Sequence, residues 1–587
     1  MTMLPPGPVP GTVRAHFARV PWHDDHPERL DLDRLLPYDH LARQIDASVE
    51  QLDVHALCAC YHGTGSLPYP PALLLRVVLY QTQLGKHSPA QWCSAADDCV
   101  PVRWLLRGCR PSRSCWYAFR DRLAPLLFAL NSQPLVQGIA AGLTPAKRGA
   151  VDGTLVAALA SRHRLLNETA LDKRLQQLQT VLATDPPQDS AGAPAPTPPE
   201  LAAAGLATPT PAAARVAAPV PVMVPIPVPA LVVPVAVPAL VVAPVAVATL
   251  VVVPIAAPEP AAASAPAAAP VGAPAPTVPG WMAKRPASRR KQQQRLQRAK
   301  QQLAQRHARN RSKRPSKQTA PARLVISTSD PEAALGLDKE KTFRPLYNVQ
   351  VVDDLDSPFV LGYAVFAQPN DAGLLGPMLA NVQQLVGHFL DVVLADGGYV
   401  GGADLRSASA VAATVYAPLP TEDAAKQLPK SALVWLAEEQ TYQCPQGHRL
   451  VLESQGKAKR SSPDQLVLQR YRCPPVPCTS CPLRQKCAHH PETGRTVTRS
   501  EYEEEVEQLR QRMNSAEAKV LYKQRRQTVE LVNADWKEHR KLRRFNGRGL
   551  TRARCQVGLI VLAHNLLTLL DQKAKVASAG NPMATGT

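Results

Sequence analysis

Residues 30–140 carry the spacing of apolar and polar side chains that is typical of packed helices. The stretch PPALLLRVVLYQTQLG begins with Pro70 and Pro71, which suit the first turn of a helix, and ends at Gly85, which suits its end. The stretch SCWYAFRDRLAPLLFALNSQ has a similar mixture of apolar and basic residues. We therefore predict a helical domain over residues 30–140, preceded by a flexible N-terminus over residues 1–29.

After residue 141 the pattern changes to short apolar runs, which predict strands. GAVDGTLV comes first, and PLYNVQVVDD, FVLGYAVFA, DVVLADGGYV and AATVYAPLP follow after residue 324. A helix is expected near residues 372–388. Because strands alternate with helices, we predict an α/β layer. Its first part would be residues 141–184 and its continuation residues 324–435.

Residues 501–572 return to helical spacing. The stretch YKQRRQTVELVNADWK predicts one helix, on which Tyr522, Arg526 and Glu530 share a face and Lys537 lies two turns further on. An exposed helix face with ion pairs between residues four apart is the simple alternative for these charges. Near the end, RCQVGLIVLAHNLLTLLDQ predicts an apolar helix that packs on a core.

Residues 185–283 consist largely of Pro, Ala and Val, and PALVVPVAVPALVVAPVAV within them is close to an internal duplication. No proline-free run there is longer than nine residues, as in the apolar run from Val245 to Val253, whereas a membrane span needs about 20 apolar residues. Frequent proline favours extended conformations. We therefore predict a disordered, semi-stiff linker that does not enter a membrane, and a flexible tail over residues 573–587.

Charge narrows the class of partner. The 587-residue chain has a net charge of +20, with 67 Lys and Arg against 47 Asp and Glu. Fifteen of these cations and no acid lie in residues 284–323, whose Gln-rich middle predicts a helix at least when bound. Such a basic arm favours a polyanion, either nucleic acid or an anionic membrane surface, with phosphate contacts that do not read sequence. A solvated basic linker is the alternative. The helices of residues 30–140 are correspondingly either a DNA-binding domain or a plain scaffold.

The start of the chain shows no secretory pattern, so we expect a cytosolic protein whose twelve cysteines are thiols or metal ligands. Five of them fall in residues 436–500, within YQCPQGHRL and YRCPPVPCTSCPLRQKC. A C-x₂-C pair with flanking cysteines predicts a structural Zn²⁺ site, and reduced, half-buried thiols are the alternative. The predicted ligands are Cys473, Cys478, Cys481 and Cys487, with Cys444 as the substitute.

Three acids stand in positions that suit metal-ion chemistry. Asp152 lies in or just after a strand in VDGT, Asp396 follows an apolar strand in VVLADGGYV, and Glu530 comes from the late helix. Two divalent cations about 4 Å apart can activate an attacking oxygen and stabilise a leaving oxygen in phosphoryl transfer. Carboxylate oxygens suit Mg²⁺ or Mn²⁺. Taken alone, however, the dipeptide DG is more often a turn.

The stretches VDGT, SDPEA, YNVQVVDD, VLADGGYVGGADL and RRQTVELVNADWKEHRKLRRFNGRGLTRARCQVGLIVLAHNLL together resemble a DDE-type transposase of a bacterial insertion sequence. The resemblance is to the IS-four-like superfamily and, within it, to the IS-eleven-eighty-two branch, over residues 30–165 and 324–570. It implies an RNase H-like catalytic core with an inserted Cys-rich subdomain. It also implies that Asp152, Asp396 and Glu530 form the catalytic triad and bind two Mg²⁺ or Mn²⁺ ions.

The late helix of this family carries a Tyr-Arg-Glu-Lys signature. Arg526 and Lys537 keep the family spacing from Glu530, whereas Tyr522 lies one residue further from the arginine than the family pattern. Such cations would grip phosphates near the cleavage point. The predicted DNA-contacting residues are Tyr522, Arg526, Lys537, Arg543, Arg544 and Arg548. The Pro/Ala/Val-rich linker departs from the family, which usually has a shorter charged segment there.

The resemblance therefore predicts a cytoplasmic, nucleoid-associated bacterial transposase that hydrolyses phosphodiesters at transposon ends and joins a 3′-OH to target DNA in cut-and-paste transposition. DNA would be the partner, and the protein would act on it as a homodimer. One alternative is an RNase H-fold nuclease or resolvase that cuts without joining. Another is a decayed or domesticated transposase that only binds DNA.

Overall fold

The computed structural model of the chain describes residues 16–61, 66–185, 278–313, 315–420, 428–457, 467–487 and 491–579. The chain divides into two units, one of Met1–Thr184 with Gly280–Thr587 and the other of Asp185–Pro279. All helices and strands of the described residues belong to the first unit. The predicted linker lies almost wholly outside the described residues, as does much of the two predicted flexible ends.

Eight helices form the N-terminal part of the described chain, which confirms the predicted helical character of residues 30–140. Pro70 and Pro71 do open a helix there, and almost every residue of that helix is buried. The indole rings of Trp92 and Trp116 meet edge to face in the surrounding core, with their centroids 6.2 Å apart. The helices are α1 (Pro27–Arg34), α2 (Leu41–Glu50), α3 (His55–Ala59), α4 (Pro71–Gln83), α5 (Pro89–Asp98), α6 (Val100–Leu106), α7 (Arg113–Leu123) and α8 (Leu127–Ala140).

A mixed sheet follows, as the alternation of strand-like and helix-like segments predicted. Its strands and one separate pair are β1 (Arg148–Ala157), β2 (Leu165–Leu166), β3 (Ile326–Ser327), β4 (Ala334–Leu337), β5 (Phe343–Asp354), β6 (Val360–Phe366), β7 (Val392–Leu394) and β8 (Thr414–Tyr416). Within the described residues the sheet has six strands in the order β4-β5-β1-β7-β8, with β6 also paired to β5, while β2 pairs with β3. Central strand β1 runs antiparallel to β5 and parallel to β7.

Most of the predicted basic arm is one long helix that packs against its neighbour. α9 (Glu168–Thr184) and α10 (Pro286–Arg311) bury a shared apolar seam that includes Leu296 and Leu303 of α10. These leucines recur on one side of a helix that is otherwise rich in Arg and Gln. Because a buried apolar stripe stabilises a helix through tertiary packing, α10 needs no bound partner to form. In the sequence, the segment predicted as a linker lies between these two helices.

Two further helices, α11 (Leu375–Val386) and α12 (Gly402–Ser409), accompany the mixed sheet, and α11 confirms the helix expected near residues 372–388. The carboxylate of Asp404 on α12 accepts hydrogen bonds from the amides of Gly373 and Leu375, at 2.8 and 3.1 Å. It therefore satisfies amide groups at the start of α11, which a helix leaves without partners of its own.

A second sheet lies between β8 and the C-terminal helices. In the described part of the chain it is antiparallel and has five strands, numbered β9 to β13 along the sequence, in the order β13-β12-β11-β10-β9. Its aromatic core brings the edges of Trp435 and Tyr442 against Tyr471, and the Arg499 guanidinium lies 4.0 Å from the Trp435 ring centroid. Its elements are β9 (Val434–Leu436), β10 (Thr441–Gln443), β11 (Arg449–Lys457), β12 (Val467–Arg472), β13 (Thr496–Ser500) and the short helices α13 (Pro475–Thr479) and α14 (Arg484–Cys487).

Four helices complete the described chain: α15 (Glu503–Asn514), α16 (Ala516–Gln527), α17 (Val529–Glu538) and α18 (Leu550–Ala579). α18 is the predicted apolar helix, and it extends past the predicted boundary at residue 572. Among the described residues it alone is long and apolar enough to cross a membrane, but 78% of its apolar window is buried inside the fold. Its Val557 packs in the core of the mixed sheet and its Leu559 in the core of the N-terminal helices.

Candidate active site

Asp152, Asp396 and Glu530 line one open cleft of about 630 Å³. Asp152 lies on β1 and Asp396 directly follows the neighbouring strand β7. Because β1 and β7 are parallel and Ala150 is opposite Leu394, the two aspartates come at matching positions. Glu530 lies in the first turn of α17, which packs against β1 through Val529. The fold thus brings together three acids that lie far apart in the sequence.

The Asp152 carboxylate is held from two sides. Arg525 Nη2 donates to Asp152 Oδ1 at 2.7 Å, and Asn533 Nδ2 donates to Asp152 Oδ2 at 2.9 Å. Burial raises the pKa of the Asp152 carboxyl; the positive charge of Arg525 opposes that rise, and the nearby Asp396 carboxylate adds to it. Asp152 is therefore a mostly buried acid whose charged form is favoured by its hydrogen-bond partners.

Arg525 joins two of the three acids. Its Nη1 also donates to Glu530 Oε1, at 3.3 Å. The Arg525 side chain is only 9% exposed, whereas that of Glu530 is 45% exposed. A guanidinium therefore neutralises Asp152 and Glu530 from the space between them.

The predicted single helix over residues 522–537 is wrong, because the helix breaks at Thr528. The backbone there adopts φ −115° and ψ −95°, which ends α16 and starts α17. The Thr528 hydroxyl donates to the carbonyls of Gln524 and Arg525, and the next residue, Val529, is buried between the sheet and the helices. The break turns Arg525 toward Glu530 and leaves Arg526 exposed, so the predicted shared face of Tyr522, Arg526 and Glu530 does not exist.

The second acid is fixed by a local turn. The residues after β7 form a 3₁₀ turn over Gly397–Tyr399, and the amide of Gly398 donates to Asp396 Oδ1 at 2.7 Å. This hydrogen bond points the carboxylate back over its own turn, where it faces the cleft.

The predicted DNA-contacting residues lie at different distances from the three acids. Lys537 and Arg543 line the cleft, and Arg543 also forms an ion pair with Glu538. Burial lowers the pKa of the Lys537 ammonium, and the charges of Lys339 and Arg543 lower it further, against an opposing effect of Asp152. Burial raises the pKa of the Tyr522 phenol. The positive charge of Arg525 opposes that rise, and the carboxylates of the predicted triad add to it.

Arg544 and Arg548 lie outside the cleft on an exposed loop. This loop continues the edge of β1, because Phe545 N donates to the Ala157 carbonyl at 2.9 Å. Arg544 Nη2 donates to the Ala160 carbonyl at 3.5 Å. Partial burial lowers the pKa of Arg295 on α10, and the positive charge of Arg548 lowers it further. The loop therefore lies beside the basic helix.

The oxygen donors of the cleft suit Mg²⁺ or Mn²⁺, and the Arg525 guanidinium shows that a cation is accommodated between Asp152 and Glu530. As the described side chains stand, however, no three His, Cys, Asp or Glu residues are arranged to hold a metal ion. The chemistry of the donors therefore fits a divalent cation, while the positions of the side chains are those of an ion-paired site.

The cysteines of the second sheet gather around Cys473. Burial raises the pKa of the Cys473 thiol to about 12, and a hydrogen bond with Cys478 and the proximity of Cys444 and Cys487 contribute. The amide of Leu483 donates to Cys481 Sγ at 3.4 Å. The five predicted cysteines thus belong to one neighbourhood, although the described residues form no ready metal cluster.

Sequence reasoning missed Arg525, Asn533 and Lys339. Asn533 lies three residues after Glu530, so the helical period alone could have placed it beside that acid. Arg525 was missed because a continuous helix would place Arg526, four residues before Glu530, on the face of that acid. Nothing in the sequence marks the break at Thr528. Lys339 lies between β4 and β5 and reaches the cleft only through the fold.

Two family models match the chain. Residues 443–570, which include Glu530 and Lys537, match a transposase DDE domain, and residues 30–122 match a transposase domain (DUF772). No curated protein and no solved structure matches the chain. Together the two matches support a transposase function and confirm the resemblance to DDE-type insertion-sequence transposases, at the level of the family and not of its branch.

Proposed function

We propose that the chain is a transposase that hydrolyses phosphodiesters at transposon ends and joins the resulting 3′-OH to target DNA in a cut-and-paste manner. The convergence of Asp152, Asp396 and Glu530 on one cleft carries the proposal. The central strand β1, between antiparallel β5 and parallel β7, supports an RNase H-like core. The second sheet and its cysteines would be the inserted Cys-rich subdomain.

The three acids would hold Mg²⁺ or Mn²⁺, and such ions stabilise charge on attacking and leaving oxygens in phosphoryl transfer. The chain itself supplies the positioning. Asn533 holds one oxygen of Asp152, and the Gly398 amide holds Asp396. Arg525 neutralises Asp152 and Glu530, which keeps the acids from repelling each other before any other cation is bound.

The cations of the cleft would bind the phosphates next to the cleavage point. No carboxylate forms an ion pair with Lys537 among the described residues, although Lys339 and Arg543 lower its pKa. Like charges held together in this way repel each other, and a bound phosphate relieves that repulsion. We include the predicted Tyr522, Arg526, Arg544 and Arg548 in this interface.

A basic stripe on α10 would extend the DNA interface. Lys291, Arg295 and Arg298 recur at the spacing of one helix face, and all three side chains reach solvent, although part of Arg295 is buried. Within the described chain no acid pairs with them, and the proximity of Arg548 to Arg295 connects the stripe to the loop beyond the cleft. The charges of the predicted arm would therefore act from a folded helix. A homodimer on DNA and a cytoplasmic, nucleoid-associated location are parts of the same proposal.

A structural Zn²⁺ held by Cys473, Cys478, Cys481 and Cys487, with Cys444 as substitute, is a separate proposal. Its support is the burial of Cys473 and the crowding of thiols around it, which together raise the pKa of that thiol, because ligation of the thiolate by a metal removes that cost. Metal analysis of purified, reduced protein should find about one zinc per chain. The double variant Cys478→Ser/Cys481→Ser should lose it and Cys93→Ser should keep it, and zinc-free wild-type protein would contradict the proposal.

The transposase proposal is tested with DNA that contains the ends of the mobile element. Wild-type protein with Mg²⁺ should cut at the ends and should join the 3′-OH to a second DNA. Cutting without joining would favour the RNase H-fold nuclease or resolvase. Binding without cutting, in Mg²⁺ and in Mn²⁺, would favour a transposase that has decayed to a DNA-binding protein.

A further inference from the structure

A fourth carboxylate, Asp371, lies beside the two strand-borne acids in the loop between β6 and α11. Its Oδ1 accepts hydrogen bonds from Asn348 Nδ2 at 2.8 Å and from Gln350 Nε2 at 2.7 Å. Asn348 and Gln350 both lie on β5, the partner of β1. Asp371 is therefore fixed to the strand next to the one that carries Asp152.

The Gln350 side chain also contacts the turn that follows Asp396. The Tyr399 hydroxyl donates to Gln350 Oε1, and Gln350 Nε2 also donates to Asn348 Oδ1 at 3.0 Å. Tyr399 closes the 3₁₀ turn that begins after Asp396. Gln350 and Tyr399 are fully buried and Asn348 is 1% exposed. Buried polar groups of this kind are costly unless hydrogen-bonded, and a satisfied network fixes one arrangement.

Two glycines make room for this carboxylate. A Cβ on Gly153 would overlap Asp371 Oδ1 and Gln350 Nε2, and a Cβ on Gly398 would lie 3.4 Å from Asp371 Oδ2 and 2.9 Å from Asp396 Oδ1. Neither glycine has a positive φ, so a left-handed turn does not explain them. The glycine after Asp152 is instead explained by the close approach of Asp371. The second glycine after Asp396 is explained mainly by the close approach of the Asp396 carboxylate, with Asp371 in contact beside it.

We propose that Asp371, Gln350 and Tyr399 are positioning residues that hold Asp396 at a fixed distance from Asp152. This inference rests on the proposed function of the acids. The charge of Asp396 raises the pKa of Asp152, so the two carboxylates repel each other and the turn of Asp396 needs an anchor. The Tyr399–Gln350 hydrogen bond ties that turn to β5, and β5 is paired residue by residue with β1.

The first test replaces Tyr399 by Phe, which removes only the hydroxyl. In metal-free protein, hydrogen exchange at the Gly398 amide should become about tenfold faster, the loss expected for one buried hydrogen bond. The Mg²⁺ and Mn²⁺ affinities, measured by calorimetry, should weaken by a similar factor, and kcat for end cleavage should fall while KM for DNA holds. Tyr363→Phe, at another buried tyrosine whose hydroxyl accepts from Asn131, should change none of these.

The second test separates positioning from ligation. Asp371→Asn retains an oxygen that accepts the two amide hydrogen bonds, so it should keep most of the activity, whereas Asp371→Ala should behave like Tyr399→Phe. Unchanged Gly398 exchange and metal affinity in Tyr399→Phe would overturn the inference. An Asp371→Asn protein as inactive as Asp396→Asn would also overturn it, because Asp371 would then be a ligand. If wild-type protein itself neither binds metal nor cuts, the proposed function fails, and the exchange data still report on the anchor.

Discussion

Asp152 and Glu530 share one guanidinium, yet the two walls of the cleft hold them in different ways. On the strand wall, formed by β1, β5 and the turn after β7, the acids are fixed by sheet pairing, a backbone amide and buried side chains, and Asn533 donates to Asp152 from α17. On the helix wall, formed by α16 and α17, Glu530 is 45% exposed and is held by Arg525 at 3.3 Å. Asp152 is 17% exposed.

The difference indicates which wall adjusts when the site is loaded. Moving Asp152 or Asp396 would disturb a paired sheet and a buried network, both of which resist small shifts. Moving Glu530 or Arg525 requires only rotation of side chains next to the break at Thr528. We therefore expect the strand wall to be preformed and the helix wall to reorganise when a divalent cation replaces the guanidinium.

The largest effect is expected from the acids themselves. Asp152→Asn, Asp396→Asn and Glu530→Gln should each lower cleavage of end-containing DNA by at least about 1,000-fold, because all three would hold the metal ions. Binding of the same DNA should change little. Thermal stability also distinguishes the two walls. Asp152→Asn alters a buried charge and should shift the Tm of metal-free protein, whereas Glu530→Gln alters a partly exposed charge and should not.

Glu538→Gln is the matched control for these variants. Glu538 also lines the cleft, but it is 59% exposed and pairs with Arg543. Its replacement should leave cleavage within a fewfold of wild type. Near-normal cleavage by Asp152→Asn, Asp396→Asn or Glu530→Gln would remove that acid from the triad.

Arg525 and its neighbour Arg526 give the second test. Arg525→Ala leaves Asp152 and Glu530 without their shared cation, and removing one partner of a buried ion pair costs about 3–5 kcal/mol. Because Glu530 is partly exposed, we expect about 3 kcal/mol less unfolding free energy in metal-free protein, measured by urea denaturation. Mg²⁺ should restore part of the loss by neutralising the same acids.

Arg526→Ala should cost less than about 0.5 kcal/mol, because the side chain is exposed. The pair of variants therefore distinguishes the observed broken helix from the continuous helix that the sequence predicted. If Arg526→Ala were the more destabilising of the two, Arg526 and not Arg525 would be the partner of Asp152 and Glu530.

The sequence was informative where side chains repeat with a period. The apolar runs around Asp152 and Asp396 predicted strands, and the apolar C-terminal stretch predicted the buried helix α18. The acids could be named because their stretches resemble a known family. These features depend on local pattern, which survives in a single sequence.

The rest depends on contacts between distant parts of the chain. The helix ends at Thr528 because Val529 packs in the core beside Ala150 and Leu394. The residues next to it in the sequence do not predict that packing. Asp371 lies in a polar loop without periodicity, so its role is visible only once Gly153 and Gly398 are seen around it. Residues of this kind have to be found in the fold.

Variants of the basic stripe on α10 test whether the DNA interface extends beyond the helix wall of the cleft. Arg295→Gln/Arg298→Gln should flatten the dependence of log K on log salt by about two units, because each lost phosphate contact removes roughly 0.9. Affinity for all DNA should fall about tenfold, with the preference for transposon ends retained. Fluorescence anisotropy over a salt series measures both quantities.

Lys300→Gln/Arg311→Gln is the control for the stripe. These cations lie on a different side of α10 by the helical period, and Lys300 pairs with Asp172 at 2.7 Å. The control should keep the wild-type salt slope. Equal effects of the two double variants would mean that α10 contributes only diffuse charge, and a loss of end preference would make the stripe a specificity element.

The smallest effect concerns the far end of the helix wall, where His87 holds the residues after α17 against the N-terminal helices. Its Nε2 donates to the Arg540 carbonyl, while Nδ1 is buried with no hydrogen-bond partner among the described residues. Burial lowers the pKa of His87 from 6.5 to about 4. Because the unfolded chain takes up the proton at higher pH than the folded one, this contribution to stability is complete above pH 6.5 and is lost as pH falls toward 4.

Between pH 7 and pH 5.5 the wild-type protein should therefore lose about 1 kcal/mol of unfolding free energy through this histidine. His87→Gln can still donate to the Arg540 carbonyl but cannot titrate, so its loss over the same range should be smaller by that amount. His163→Gln, at an exposed histidine, should follow the wild-type curve. Parallel curves for wild type and His87→Gln would show that His87 does not couple proton uptake to unfolding.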